Sequence, residues 1–209
     1  MGRLRVKRIG VMGGTFDPIH YGHLVTAEEA REQFALDLVV FMPSGHPPHK
    51  EDRKNLDAES RYLMTVIATA SHPGFQVSRL EINRPGPSYT IDTVREMHRI
   101  YGKNTGIFFI TGADAVLEIL TWKEPERILA ECTLIAATRP GYDLSRLEEL
   151  LPGLGGDASS DGPGVRVMEI PALAISSTDI RRRVSEGRSI RYLVPEGVRE
   201  FIEKNGFYR

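Results

Sequence analysis

The chain has 209 residues, of which 41% are hydrophobic, and its formal net charge at pH 7 is -1. This length and composition predict a single domain over residues 1–209, with a sizeable core and a small C-terminal helical part from about residue 176. The balanced charge argues against binding to nucleic acid or to a membrane surface, and no apolar stretch is long enough to span a membrane. We therefore expect a cytoplasmic protein with small-molecule ligands; its oligomeric state stays open, and a homo-oligomer is compatible with the sequence.

In chain order, strands and helices alternate from the start. Residues Val6 to Met12 predict a strand, Gly22 to Phe34 a helix, and Asp37 to Met42 a second strand. The polar loop from Pro43 to Leu56 contains three prolines. Because such a loop has little apolar surface to bury, we expect it to become ordered when substrate binds.

The next helix is predicted from Ala58 to Ser71, with Asp57 as its N-cap. Its apolar spacing predicts an inward face made of Leu63, Val66, Ile67 and Ala70. Alternation of apolar and polar residues then predicts a strand from Phe75 to Ile82.

The second half of the chain continues the alternation. The glycine-rich segment from Pro152 to Gly164 lacks apolar periodicity and is predicted to be a mobile surface loop. The predicted elements are a helix carrying Ile91, Val94, Met97 and Tyr101, a strand from Gly106 to Thr111, helical segments through Leu120 and from Glu124 to Ala130, strands from Cys132 to Thr138 and from Val165 to Ile170, a helix opened by ISSTDIRRRV, and a last helix from Pro195 to Asn205.

Five or six strands that alternate with helices predict an α/β fold: a doubly wound, mostly parallel sheet with helices on both faces. Ligands of such sheets bind outside the carboxyl ends of the strands. Polar clusters follow five of the predicted strands, which predicts one site at that edge.

The stretch RIGVMGGTFDPIHYGHL joins a buried strand to a helix through Gly13 and Gly14. Such a junction directs backbone N–H groups and the positive end of the helix dipole at one point, which favours an anion such as phosphate. His20 and His23 lie at the start of this helix and can add N–H donors. The glycine pattern matches neither the dinucleotide fingerprint nor the P-loop.

Two other interpretations of the histidine pair stay open. Two histidines three residues apart can share a zinc ion, and His46 or His49 in the long loop could then supply a third ligand. Alternatively, the two rings pack or hydrogen-bond inside the core.

The segment Ser176-Ser177-Thr178-Asp179 repeats the anion-site pattern near the end of the chain. Its hydroxyl and N–H groups at a helix start suit phosphate, and Arg181 could neutralise the oxygens of a departing pyrophosphate. The alternative is a plain N-cap followed by a solvated basic face, Arg181 to Arg183.

These two motifs, GGTFDPIHYGHL and ISSTDIR, resemble the HxGH and ISSTxxR signatures of the nucleotidyltransferase superfamily. The blocks PSGHPPHK, PSYTIDT, TGADAVLEILTWKEPERIL and AATRPG resemble one of its families, the bacterial nicotinate-nucleotide adenylyltransferases, in the expected order over residues 9 to about 204. The resemblance implies a Rossmann-like fold and transfer of the adenylyl group of ATP to nicotinate mononucleotide. The products would be deamido-NAD and pyrophosphate, in NAD biosynthesis.

The resemblance implies catalytic roles for His20, His23 and Arg181, which would stabilise charge on the phosphates. Mg²⁺ that bridges the ATP phosphates is expected to complete the charge balance. Thr15 and Asp17 are expected to shape their loop through hydrogen bonds to the backbone. The expected ATP contacts are Gly13, Gly14, Thr15, Phe16, His20, His23, Gly112, Asp114, Ile175, Ser176, Ser177 and Arg181.

The nicotinate ring carries a carboxylate and therefore needs N–H donors and an aromatic face. The segment Ser88-Tyr89-Thr90 precedes a helix, so the N–H groups of Thr90 and Ile91 can serve as donors. Trp122, beside Lys123, could stack on the ring, and the resemblance places both segments in the nicotinate pocket; the alternative for Trp122 is a core position. An amide in place of the carboxylate would leave buried groups unpaired.

The remaining candidates concern the mononucleotide phosphate and the ribose. Ser44, Lys50 and Arg139 could hold that phosphate, although Lys50 could equally be a solvated charge. Asp114 could accept a hydrogen bond from a ribose hydroxyl.

Two functional alternatives remain at this point. One is an adenylyltransferase of the same superfamily that acts on another acceptor, nicotinamide mononucleotide or phosphopantetheine. The other is a non-catalytic, nucleotide-binding regulator.

Overall fold

A computed structural model describes residues 7–45, 55–150, 164–171 and 173–209. Within these residues, six strands form one parallel sheet in the order β3-β2-β1-β4-β5-β6. The predicted fold class is confirmed, and every strand pair is parallel. The strands are β1 (Arg8–Gly14), β2 (Leu38–Pro43), β3 (Phe75–Val77), β4 (Gly106–Gly112), β5 (Thr133–Thr138) and β6 (Gly164–Glu169).

The helices cover both faces of this sheet. One apolar layer contains side chains of α3, α4, α5 and α6, and the other contains side chains of α1, α2, α7 and α8. The helices are α1 (Tyr21–Gln33), α2 (Ala58–Thr69), α3 (Thr90–Tyr101), α4 (Ala113–Leu117), α5 (Pro125–Glu131), α6 (Ser145–Leu150), α7 (Ser177–Ser185) and α8 (Glu196–Asn205), with a short 3-10 turn at Ile119–Thr121.

Successive residues of the central strands enter opposite layers. In β4, Ile107 and Phe109 pack toward α3, whereas Phe108 and Ile110 pack toward α1. Because a parallel sheet buries both of its faces, its central strands read as continuous apolar runs rather than as alternating ones. The run GIFFIT therefore belongs at the centre of the sheet, next to β1.

The chain reverses its direction across the sheet between β1 and β4. The strands β2 and β3 extend to one side of β1, and β4, β5 and β6 extend to the other. Helices α1 and α4, which follow β1 and β4, lie on opposite faces and leave a crevice at the carboxyl ends of these strands. The fold thus opens a ligand site directly after the glycine turn.

Two predictions for the segment after β2 are wrong. The strand that begins at Phe75 ends at Val77 rather than Ile82. The inward face of α2 carries Arg61, Met64, Thr65 and Thr69, whereas Leu63 and Ile67 are 39% and 36% exposed. Apolar spacing misled here because each buried threonine hydroxyl donates to a carbonyl one turn earlier and needs no solvent.

The predicted N-cap of α2 is confirmed, since Asp57 Oδ1 accepts a hydrogen bond from Ser60 N at 2.8 Å. Most of the Pro43–Leu56 loop, with Lys50, His46 and His49, and nearly all of the Pro152–Gly164 segment lie outside the described residues. In the part of the chain that is described, no helix has the length and apolar character needed to cross a bilayer.

Candidate active site

A cavity of about 560 Å³ opens at the carboxyl ends of β1, β4 and β5, between the starts of α1 and α7. We call it the histidine cavity. A cavity of about 610 Å³ at the amino ends of the same strands contains none of the predicted site residues. The predicted residues that line the histidine cavity are Gly13, His20, His23, Gly112, Asp114, Arg139, Ile175, Ser176 and Ser177.

His20 and His23 stand at the start of α1 with stacked rings. Their ring centroids are 3.8 Å apart and their planes differ by 23°. The backbone N–H of His20 donates to Nδ1 of His23 at 3.3 Å; a neutral His23 therefore carries its proton on Nε2. The first turn of α1 contains no acidic residue that would cancel the positive end of the helix dipole. This helix start is therefore suited to an anion.

Burial keeps both imidazoles neutral. His20 is only 6% exposed, and burial lowers its pKa to about 4. Its Nδ1 is buried and has no hydrogen-bond partner within the described residues, so a proton added there would lack an acceptor. Burial also lowers the pKa of His23, and the neighbouring His20 lowers it further. At neutral pH both rings act as uncharged N–H donors.

Phe16 packs its side chain against the His23 ring. Its side chain is 2% exposed, and its ring meets that of His23 edge-on with centroids 5.1 Å apart. A Cβ at Gly14 would lie 2.8 Å from the Phe16 ring, so the second glycine of the turn makes room for it. The predicted ATP contact at Phe16 is not tested by these distances.

Two further positions near the site, Gly22 and Gly13, have no room for a side chain. A Cβ at Gly22 would lie 3.0 Å from Cε1 and Nδ1 of His20, so a side chain there would displace the ring. A Cβ at Gly13 would lie 2.9 Å from Cζ of Phe109, whose ring meets Trp122 edge-on with centroids 6.4 Å apart. One aromatic ring thus separates the glycine turn from the tryptophan, a proximity that the sequence pattern did not reveal.

Four carbonyl oxygens, one from the last residue of β1 and three from the loop between β1 and α1, accept hydrogen bonds from donors far along the chain. Carbonyls held in this way cannot rotate toward a ligand, so an anion in the cavity avoids their lone pairs. The pairs are Gly14 O with Ser44 N (2.9 Å), Thr15 O with Arg61 Nη1 (2.6 Å), Asp17 O with Arg181 Nη1 (2.6 Å) and Pro18 O with Ser177 Oγ (2.8 Å).

Arg61 is a structural residue of this site that the sequence interpretation missed. It is 2% exposed, and its Nη2 also donates to Ser44 O at 2.7 Å, while Nε donates to Leu56 O at 3.0 Å. Burial lowers the pKa of its guanidinium, and the charge of Asp17 acts in the opposite direction. An arginine in an amphipathic helix normally indicates a solvated face, so the sequence around Arg61 does not indicate that this residue is buried.

The start of α7 lies beside the same loop. Ser176 Oγ accepts from Asp179 N at 3.1 Å, so the plain N-cap is present whether or not a phosphate binds. Ser176 and Ser177 line the histidine cavity, and Ile175 precedes them on its wall. Arg181 lies behind them with its guanidinium on the backbone of Asp17. Phosphate binding at this helix start stays a prediction.

Asp114 has a partner that was not predicted. The hydroxyl of Tyr142 donates to Asp114 Oδ1 at 2.9 Å, and both residues line the histidine cavity with Arg139. Burial and the Asp114 carboxylate raise the pKa of Tyr142. One carboxylate oxygen of Asp114 is thus committed to Tyr142, which leaves the other for the predicted ribose hydroxyl.

The predicted nicotinate residues meet at the start of α3. Lys123 Nζ lies 4.8 Å from the centre of the Tyr89 ring and 3.0 Å from Asp92 Oδ2, and Trp122 is half-buried against the core. The first N–H groups of a helix have no acceptor within the helix, which leaves those of Thr90 and Ile91 for a ligand. We call Tyr89, Thr90, Ile91, Trp122 and Lys123 the acceptor face.

Two of the three proposed phosphate ligands, Ser44 and Arg139, follow strands that are well separated in the sheet. Ser44 follows β2 and Arg139 follows β5, three strands apart in the sheet, or about 14 Å. Ser44 is 9% exposed, and its buried Oγ has no partner among the described residues. Ser44 and Arg139 therefore belong to different parts of this edge of the sheet, and Lys50 lies outside the described residues.

Metal binding by protein side chains finds no support in the described ranges, where no group of three His, Cys, Asp or Glu residues could hold an ion. Asp114 is the acidic residue on the wall of the histidine cavity. A single carboxylate fits an Mg²⁺ ion that arrives with its phosphate ligands better than one held by the protein alone.

A doubly wound parallel sheet, with two neutral histidines at a helix start and a second helix start facing them, defines a nucleotidyltransferase. Residues 11–183 match the family described as Cytidylyltransferase-like. A relative from Moorella thermoacetica, named a probable nicotinate-nucleotide adenylyltransferase, is 59% identical over 98% of this chain and 93% of its own length. A relative of the same name from Thermoanaerobacter sp. is 54% identical over 98% of this chain and 96% of its own length.

The chain belongs to the nicotinate-nucleotide adenylyltransferase family within this group of cytidylyltransferase-like proteins. Among solved structures, the Plasmodium falciparum nicotinic acid mononucleotide adenylyltransferase complexed with NaAD has the same fold, with a TM-score of 0.77 at 20% identity and coverage of 97% of both chains. A structure of that protein complexed with APC superposes with a TM-score of 0.75.

Proposed function

We propose that this protein transfers the adenylyl group of ATP to nicotinate mononucleotide, giving deamido-NAD and pyrophosphate. The observation that carries the proposal is the pair of neutral, stacked histidines at the start of α1, which follows a glycine turn that one aromatic ring separates from Trp122 of the acceptor face. The relatives with more than half of their residues identical bear the name of this activity.

The chemistry needs positioning rather than a protein nucleophile. The 5′-phosphate of the acceptor is largely dianionic at neutral pH, because its second pKa is about 6, and it attacks the α-phosphorus of ATP without a general base. Negative charge grows on the α-phosphate oxygens as pyrophosphate leaves. His20 and His23 donate hydrogen bonds to these oxygens, and the α1 dipole adds partial positive charge. Arg181 neutralises the leaving pyrophosphate.

Neutral histidines suit this task. A neutral imidazole N–H strengthens its hydrogen bond as charge develops on the phosphate, and no proton has to be gained or lost for it to do so. Because burial lowers the pKa of His20 to about 4, this donor is uncharged at neutral pH.

The acceptor face selects nicotinate. The N–H groups of Thr90 and Ile91 receive the nicotinate carboxylate, and Trp122 provides the aromatic surface for the ring. Asp92 lies in the first turn of α3 and would repel that carboxylate, but Lys123 pairs with it at 3.0 Å. The lysine therefore keeps the helix start attractive to an anion.

Mg²⁺ enters with ATP in this proposal. When bound, it supplies positive charge to the phosphate oxygens. Asp114, the acidic residue of the cavity wall, has one oxygen taken by Tyr142 and the other assigned to the ribose, so the phosphates and water would supply the ligands of the ion. A cytoplasmic location and the absence of nucleic-acid partners remain predictions.

The test supplies ATP with one acceptor at a time and measures pyrophosphate release. We expect nicotinate mononucleotide to give the highest kcat/KM, ahead of nicotinamide mononucleotide and phosphopantetheine. Equal or greater turnover with either competitor would overturn the acceptor assignment. ATP binding without turnover on any acceptor would favour a regulator instead.

A further inference from the structure

Tyr208, the penultimate residue, is held firmly although it is almost at the chain end. Helix α8 ends at Asn205 and is capped by Gly206 in the left-handed conformation, with φ +66°, and Phe207 N then donates to Ile202 O at 3.1 Å. The ring of Phe207 meets Phe201 edge-on with centroids 5.7 Å apart. The chain is thereby directed back onto the body of the protein, and the ring of Tyr208 packs against the apolar layer that contains α1.

The hydroxyl of Tyr208 reaches the loop that carries the histidines. It donates to Asp17 Oδ1 at 2.7 Å, and Asp17, three residues before His20, is 3% exposed. Burial, together with the neighbouring carboxylate, raises the pKa of Tyr208, so its hydroxyl remains a proton donor. A residue at the end of the chain thus contacts the loop at its beginning.

The same aspartate holds Arg181. Nη1 of Arg181 donates to the backbone oxygen of Asp17 at 2.6 Å and lies 3.9 Å from its Oδ2. Among the described residues, the other cation near this carboxylate is Arg61, whose guanidinium is bound to the carbonyls of Thr15, Ser44 and Leu56. The two carboxylate oxygens of Asp17 therefore have different partners: Oδ1 faces Tyr208, and Oδ2 faces Arg181.

The Tyr208 hydroxyl affects which partners the Asp17 carboxylate can take. A buried carboxylate oxygen without a donor is costly, so Asp17 without the Tyr208 hydroxyl would turn both oxygens toward the nearest available cation. That cation is Arg181, and a two-point ion pair would hold its guanidinium on the Asp17 carboxylate, where it could not turn toward the phosphates of ATP. The hydroxyl at the chain end prevents this competing arrangement.

We propose that Tyr208 is a positioning residue for adenylyl transfer: its hydroxyl, acting through Asp17, keeps Arg181 available to the triphosphate. The inference rests on the proposed function, because it assigns Arg181 to the pyrophosphate that leaves.

The experiment compares Tyr208→Phe with the wild type in the pyrophosphate assay, with ATP and nicotinate mononucleotide each varied in turn. We expect kcat/KM for ATP to fall about tenfold, since a small displacement of a charged group costs one to two orders of magnitude in rate. The KM for nicotinate mononucleotide should stay unchanged. Tyr192→Phe is the matched control, because Tyr192 is 82% exposed and should leave all constants as they are.

A second substitution separates positioning from general support of the fold. In the double variant Tyr208→Phe with Asp17→Asn, the neutral amide no longer attracts Arg181, and we expect at least half of the lost kcat/KM for ATP to return. A Tyr208→Phe protein within twofold of wild type overturns the inference. The inference is also overturned if kcat/KM falls equally for ATP and for nicotinate mononucleotide and Asp17→Asn does not restore it. If the wild type releases no pyrophosphate, the proposed function itself fails.

Discussion

His20 and His23 lie in a cavity whose walls are fixed by buried hydrogen bonds, whereas Trp122 and Lys123 lie on a half-exposed face. The loop beside the histidines receives donors from the end of β2, α2 and α7. On the acceptor face, the exposed Lys123 pairs with Asp92 across the surface, and its side chain is 42% exposed. From this difference we expect the chemical step to depend on rigid, preorganised donors and the choice of acceptor to depend on adjustable surface charges.

The largest effect on activity should come from a substitution in the histidine cavity. His20→Ala removes a donor to the α-phosphate, and we expect kcat to fall about a hundredfold or more, equivalent to roughly 3 kcal/mol of transition-state stabilisation. Steady-state kinetics at saturating ATP measures it. His72→Asn, which alters a histidine bound to Glu28 on the protein surface, is the control and should leave turnover unchanged. A His20→Ala enzyme that binds ATP normally and keeps wild-type turnover would contradict the catalytic role.

The buried histidine also makes stability depend on pH. The pKa of His20 is lowered to about 4 in the folded state, below its unfolded value of 6.5, so the unfolded state binds more protons between these values. The free energy of unfolding should therefore fall as the pH drops from 6.5 to 4, by about 3 kcal/mol from this residue. Urea unfolding at pH 7, 6, 5 and 4 measures it. The same series on His20→Asn should show a shallower slope, and an identical slope would contradict this assignment.

On the acceptor face, Trp122→Ala should raise the KM for nicotinate mononucleotide about tenfold, because aromatic stacking contributes roughly 0.5–1.5 kcal/mol beyond the buried area. The KM for ATP should change little, and Trp122→Phe should retain most of the affinity. Separate titrations of the two substrates distinguish these outcomes. A lower unfolding temperature with both KM values unchanged would instead mean that Trp122 serves only the core.

The smallest effect concerns charge at the start of α3. Lys123→Ala leaves Asp92 uncompensated, and we expect the KM for nicotinate mononucleotide to rise about threefold, as is usual for an exposed ion pair. The KM for nicotinamide mononucleotide, which lacks the carboxylate, should not rise. Adding Asp92→Asn should restore the affinity for the acid. An equal rise for acid and amide would show that the lysine acts on another part of the acceptor.

Much of the site could be predicted because its groups are local in sequence. The strand, glycine turn and helix start from Ile9 to His23 locate the predicted anion site by backbone geometry alone, and the positions of Gly112 and Arg139 follow from the rule that parallel strands end at one edge. The inward face of α2 could not be predicted. Its buried members include Arg61, whose burial is tolerable because carbonyls from three other segments accept its hydrogen bonds.

By itself, the sequence determined the alternating fold, the edge of the sheet at which ligands bind, and the chemistry that two histidines at a helix start make available. Only the tertiary structure decided that these histidines are neutral, that Phe109 links the glycine turn to Trp122, and that Tyr208 reaches Asp17 across almost the whole chain. The reason is physical. Periodicity and turn chemistry act over a few residues, whereas burial and hydrogen bonding between distant segments exist only once the sheet has brought them together.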